Sequence, residues 1–134
     1  QKALDMMLIN KYEGDPRYHS SLGYIHAFSG NKEDAIREIK MALALCPPSK
    51  DVMLADHYKT DLSIIYAIIG EHEKALDLIE ELISGPSNFY WTTIKYHWIL
   101  NKIYKKDVRF NSIIAKDEER FRKEITYDFG IYLQ

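Results

Sequence analysis

Leu22-Gly23-Tyr24-Ile25-His26-Ala27-Phe28-Ser29-Gly30-Asn31-Lys32-Glu33-Asp34-Ala35-Ile36 returns further along the chain as Leu62-Ser63-Ile64-Ile65-Tyr66-Ala67-Ile68-Ile69-Gly70-Glu71-His72-Glu73-Lys74-Ala75-Leu76. Leu22, Ile25, Ala27, Gly30, Glu33 and Ala35 all meet their own residue type 40 positions later. The register holds beyond the quoted stretch, where Tyr18 meets Tyr58, Ile39 meets Ile79 and Leu43 meets Ile83. Self-similarity at a fixed spacing marks stacked units, none of which can bury its apolar face alone.

Within each unit the apolar residues have helical spacing. Tyr18, Leu22, Ile25 and Ser29 fall at i, i+4, i+7 and i+11, with Phe28 widening the stripe. After the glycine, Ala35, Ile36, Ile39, Ala42 and Leu43 form a second stripe. Such stripes are the apolar faces of amphipathic helices. Gly30 and Gly70 interrupt them where the chain must stop one helix, and glycine reaches positive φ without a Cβ penalty. Asn31 is then predicted to cap the helix that follows. Gly23 sits mid-helix, at a cost of about 0.5–1 kcal/mol relative to Ala, which points to a neighbouring backbone lying close. Ala35 and Ala75 occupy comparable close-contact positions. The expected fold is therefore all-α, built from antiparallel helix pairs.

These residues resemble the tetratricopeptide (TPR) repeat, whose pattern runs through a large residue, Leu-Gly, an aromatic, Ala, a bulky apolar residue, Ala and Pro. From Pro16 those positions hold His19, Leu22-Gly23, His26, Ala35, Ile39, Ala42 and Pro47. From Asp56 they hold Lys59, Leu62-Ser63, Tyr66, Ala75, Ile79, Leu82 and Ser87. The spacing exceeds the usual value of about 34 because Pro48 to Ala55 lengthen the connector. Further on, Asp107, Arg109 and Phe110 resemble a segment that closes bacterial tetratricopeptide arrays, with Val108 standing where that segment has Pro.

The resemblance implies a TPR-like superhelix, an α-solenoid, forming the C-terminal part of a bacterial array. Residues 1–15 read as a half repeat (Ala3, Leu4 and Met7 leading to Asp15-Pro16), 16–49 and 56–87 as repeats, and 88–134 as atypical closing helices and a cap. An aromatic helix is expected over 88–103, with Phe89, Tyr90, Trp91, Tyr96 and Trp98, and a final helix over Lys116 to Leu133. The chain opens on Gln1-Lys2-Ala3 without methionine, which suggests an excised part of something longer.

Composition narrows the function classes. The net charge of -2 gives no general electrostatic reason to bind nucleic acid. Residues 51–100 carry three Lys/Arg against eight Asp/Glu, and 101–134 carry eight against six, a distribution that suits solvated helix faces or, in the sharper reading, a docking surface for a charged partner. Leu62 to Ile69, the longest near-apolar run, falls far short of the roughly 20 residues that span a bilayer. Cys46 is the only cysteine, so no internal disulfide forms, and a reducing, cytoplasmic setting is expected.

Candidate chemistry is sparse. His72-Glu73 opens a zinc-protease signature, but the second histidine position is Leu76. His57 and Asp61 stand one helical turn apart, two ligands without a third nearby in sequence. His19 and His26 share a helical face and fall on repeat-defining positions, where packing is expected. Ser20 and Ser21 adjoin His19, yet adjacent helical residues point apart. The six glycines are isolated, so no phosphate-cradling loop is present. The reading is of a protein that is not an enzyme, with no catalytic residue, cofactor or metal.

What remains is binding. The family resemblance implies that the first helix of each pair lines a concave face, placing Arg17, Ser20, Tyr24, Phe28, His57, Thr60, Ile64 and Ile68 towards a partner. The Lys and Asn positions with which some family members clamp a chaperone's terminal carboxylate are here Ser20, Ser21, Tyr24 and Phe28, then Thr60, Asp61, Ile64 and Ile68. The expected partner is therefore an apolar protein or peptide segment, unless helix 88–103 fills the groove within the same chain. The alternatives are a regulatory segment acting on an upstream domain of a bacterial cyclase, kinase or transcription regulator, and a self-association module giving a homo-oligomer.

Overall fold

A computed structural model of the chain describes residues 11–85 and 91–129, and every regular element among them is helical. In chain order these are α1 (Pro16–Phe28), α2 (Lys32–Leu45), α3 (Val52–Ile69), α4 (His72–Ser84), α5 (Trp91–Lys95), α6 (Trp98–Tyr104) and α7 (Val108–Phe129). The chain divides into two compact units, Gln1–Leu78 and Ile79–Gln134.

In the first unit α1 packs on α2, and α3 packs on both. Asp15 starts α1 from extended backbone, its carboxylate accepting from the Arg17 amide at 2.9 Å. Pro16 takes the first helical position, where a missing N–H costs nothing. Asp51 starts α3 in the same way, accepting from the Leu54 amide at 3.0 Å. The two first helices also end alike. Gly30 and Gly70 adopt φ of 82° and 86°. Around Gly30, the Asn31 amide donates to the His26 carbonyl and the Gly30 amide to Ala27. Around Gly70, Glu71 donates to Tyr66 and Gly70 to Ala67. Both stops satisfy the carbonyls a helix end leaves orphaned, with glycine at the left-handed position.

Asn31 departs from its expected role. It stands at the start of α2, but its side chain makes no capping bond. The turn after Gly30 holds it at ψ 75°, away from the extended backbone of Asp15 and Asp51, and only its main chain is engaged.

The core of this unit joins Ala35, Ile39 and Ala42 of α2 to Tyr58, Leu62, Ile65 and Ile69 of α3, with Cys46 buried beside them. Gly23 is where α1 comes closest: a Cβ there would lie 3.0 Å from the Ile65 Cδ1 and 3.4 Å from the Ala35 carbonyl oxygen. The small residue read from the sequence thus admits α2 and α3 together. Of the predicted half repeat, Ala3, Leu4 and Met7 lie outside the described residues, while the Tyr12 ring stacks on Tyr18 at 6.1 Å.

In the second unit Ile79, Leu82 and Ile83 of α4 are buried, as are Ile94, Ile99, Leu100, Tyr104, Phe110, Ile113 and Ile114. The predicted aromatic helix 88–103 is broken in two. The Tyr96 and His97 amides close α5 on Thr92 and Ile94, His97 turns extended, and the Asn101 side-chain amide donates to the Lys95 carbonyl at 3.1 Å. Asn88, Phe89 and Tyr90 lie outside the described residues. The final helix begins at Val108, well before Lys116, and its predicted end at 130–133 lies outside the described residues. Asp107 supplies its start by accepting from the Phe110 amide at 2.8 Å, so Val108 serves as first helical residue without a proline. Phe110 stacks on Tyr104 at 5.5 Å. Arg120 of α7 donates to the Ile83 carbonyl at 2.8 Å while pairing with the buried Asp117, capping the end of α4.

Candidate functional site

Residues 17, 20, 24 and 28 of α1 are spaced three or four apart and so share one face of that helix, as 57, 61, 64 and 68 share one face of α3. The two faces meet at Asp61. Ser20 Oγ donates to one carboxylate oxygen of Asp61 at 2.7 Å, and the Tyr24 hydroxyl donates to the other at 2.8 Å. His57, one turn before Asp61, brings Nε2 to 3.7 Å. The Asp61 side chain is only 13% exposed. Two hydroxyl donors on a carboxylate are charge-assisted hydrogen bonds, and they offset the desolvation such a charge would otherwise suffer.

Tyr24 responds to the same surroundings. Burial pushes its phenol well above the ordinary value, and the Asp61 charge and hydrogen bond push it further. The hydroxyl therefore stays a donor at every pH at which the protein is folded near neutrality. Asp61 thus holds α1 to α3.

The eight residues expected on this face are not equally accessible. Arg17, Phe28 and His57 are exposed, Phe28 at 62%. Tyr24 and Ile68 are half-buried and pack against the core of the unit. Ser20, Thr60 and Ile64 are buried. Ser20 is committed to Asp61, and Thr60 donates to its own helix at the Asp56 carbonyl, 2.9 Å away. Arg17 folds back to fork onto Asp15, with Nη2 2.7 Å from the carboxylate. The accessible part is a rim of Arg17, Phe28 and His57 beside the part-buried Asp61.

The other candidate groups are dispersed. Ser21 donates to the Arg17 carbonyl, and neither serine bonds His19. Glu73 lies in the first turn of α4 with His72 before it. His26 is half-buried, whereas His19 is buried in a polar joint: its Nδ1 lies 2.6 Å from the Glu38 carboxylate and its Nε2 2.9 Å from the Glu13 carbonyl. Among the described residues no group of three or more His, Cys, Asp or Glu is placed to hold a metal ion, and no helix is long and apolar enough to cross a membrane.

Sequence reasoning missed two roles, the acceptor at Asp61 and the acceptor at Glu38. Asp61 carried a usable signal. It lies 41 residues after Ser20, one repeat offset plus one, and first helices of successive pairs are neighbours in a stacked array. Glu38 carried none, because charged residues on an amphipathic helix are ordinary surface residues. No family model matches the chain, and no curated protein or solved structure matches it either.

Proposed function

We propose that this chain is a protein-interaction scaffold of the tetratricopeptide type, in which α1 and α3 are the inner helices of a superhelical array and receive a partner protein or peptide. The observation that carries this reading is the Asp61 junction, which sets the two first helices side by side one repeat apart. Identical glycine stops and the 40-residue register support it. The partner-facing residues are then Phe28 as apolar anchor, Arg17 and His57 as polar rim, and Tyr24 and Ile68 as a partly covered floor. An exposed aromatic beside charged groups suits a peptide that brings an apolar side chain flanked by polar atoms. The setting proposed is cytoplasmic, without cofactor, metal or nucleic acid.

The test is recovery of partners from the native cell extract on immobilised wild type and on Phe28→Asp/His57→Ala. Both substituted residues are exposed, so folding is retained. Loss of a wild-type partner supports the face, and identical recovery of every partner removes it.

Self-association is the second reading, favoured by Tyr96 and Trp98 of the second unit, which stand 69% and 68% exposed. A second copy seated on these two side chains would remove apolar surface from water. Sedimentation across a concentration range decides it: a dimer lost in Trp98→Lys supports it, and a strictly monomeric wild type excludes it.

A further inference from the structure

His19 of α1 faces both Glu38 of α2 and the turn before α1. It is 8% exposed, and each ring nitrogen faces an acceptor. Nε2 points at the Glu13 main-chain carbonyl, which can only accept, so Nε2 carries a proton. Nδ1 lies 2.6 Å from the Glu38 carboxylate, and one further proton must stand between them. Without that proton the Nδ1 lone pair faces an anion at hydrogen-bond distance. Placed on the ring, with Glu38 ionised beside Arg37, that proton makes an imidazolium–carboxylate pair.

We propose that His19 is a proton-controlled pin for the first helix pair: protonated, it fastens α1 to Glu38 of α2 and to the turn at Glu13, and loss of one proton unfastens that joint. The groups acting on the ring are few. From α2 come Glu38 and, 4.0 Å from the other Glu38 oxygen, Arg37. From the turn before α1 come the Glu13 carbonyl and carboxylate and the Asp15 carboxylate. On α1 itself the Tyr18 ring meets the imidazole edge-on at 5.5 Å. Burial by itself pulls the imidazole down, but the hydrogen bonds to Glu38 and Glu13 and their charges outweigh it, and the net shift is upward. A group raised on folding adds stability that is fully present below its unfolded value of about 6.5. That stability is lost as pH rises through the folded value. The first pair therefore loosens as pH rises above about 6.5 and through the folded value.

The second pair lacks the device. At the corresponding positions it has Lys59 and Leu78. Rising pH is thus expected to open α1 and α2 selectively, at the end that carries Arg17.

The experiment is nitrogen NMR of the imidazoles in the full chain, with amide exchange followed between pH 6 and 8.5 and corrected for intrinsic rates. His19 should show both nitrogens protonated at pH 6.5 and a midpoint above that value. Protection in α1 and α2 should fall by up to tenfold for each unit by which the midpoint exceeds 6.5. In Glu38→Gln the side-chain amide can donate to a neutral ring, so the fold is kept and the pH-dependent loss should vanish. A neutral single tautomer at pH 6.5 overturns the proposal without any variant. So does Glu38→Gln with an undiminished pH response.

Discussion

The two helix pairs share their stops and differ in their joints. Gly30 and Gly70 end α1 and α3 with the same left-handed turn and the same pair of backbone bonds. Ile39 and Ile79, 40 residues apart, are both fully buried. Yet where the first pair has His19, Gly23 and Glu38, the second has Lys59, Ser63 and Leu78. Gly23 leaves room for Ile65, whereas Ser63 is buried and turns its hydroxyl back to the Thr60 carbonyl at 2.7 Å. The turn and the large apolar positions define the unit. The chemistry of the joint between its helices is free to vary around them.

The largest effects should fall on what the pairs have in common. Ile39→Ala and Ile79→Ala each remove a fully buried side chain, a loss of about 2–5 kcal/mol. Urea unfolding should show both, and a cost confined to one site would break the equivalence of the pairs. Next comes what links them. Asp61→Ala strands the Ser20 and Tyr24 hydroxyls, which costs about 1–3 kcal/mol. A double-mutant cycle with Tyr24→Phe should show strong coupling, and additive costs would mean the two residues do not share the bond. Gly30→Ala and Gly70→Ala follow, each forcing a Cβ into the left-handed region for about 1–2 kcal/mol. Because neither glycine has a neighbour within 4 Å of the added Cβ, the two costs should be equal. Phe28→Asp should change stability least, within about 0.5 kcal/mol, while removing partner recovery.

What the sequence made legible was whatever repeats or punctuates. The glycine stops, the close approach at Gly23 and the buried faces of α2 to α4 follow from the 40-residue register and helical spacing. The apolar stripe expected on α1 does not: Ile25 and Phe28 stand 58% and 62% exposed, and the helix buries His19, Ser20, Gly23 and Ala27, the first two held by Glu38 and Asp61. Polar partners separated by 19 residues, as in His19 and Glu38, leave no periodic trace, since a glutamate on an amphipathic helix looks the same with or without a buried partner. Asn31 misled because its residue type favours capping, but the preceding turn fixes its backbone. The break between α5 and α6 misled for the opposite reason. Tyr96-His97 contains neither Gly nor Pro, and an aromatic-rich run gives no sign that Asn101 will cap the carbonyl of Lys95. Of the residues that family resemblance turns towards a partner, Arg17, Phe28 and His57 are exposed, whereas the burial of Ser20, Thr60 and Ile64 depends on how neighbouring side chains fill space.

Cys46 closes α2 inside the core that α2 and α3 share, 3% exposed. As the chain's sole thiol it can react with a soluble reagent only when that core parts. The rate at which it is modified is thus a native stopwatch for breathing of the first unit. No dye, tag or substitution is needed to read it.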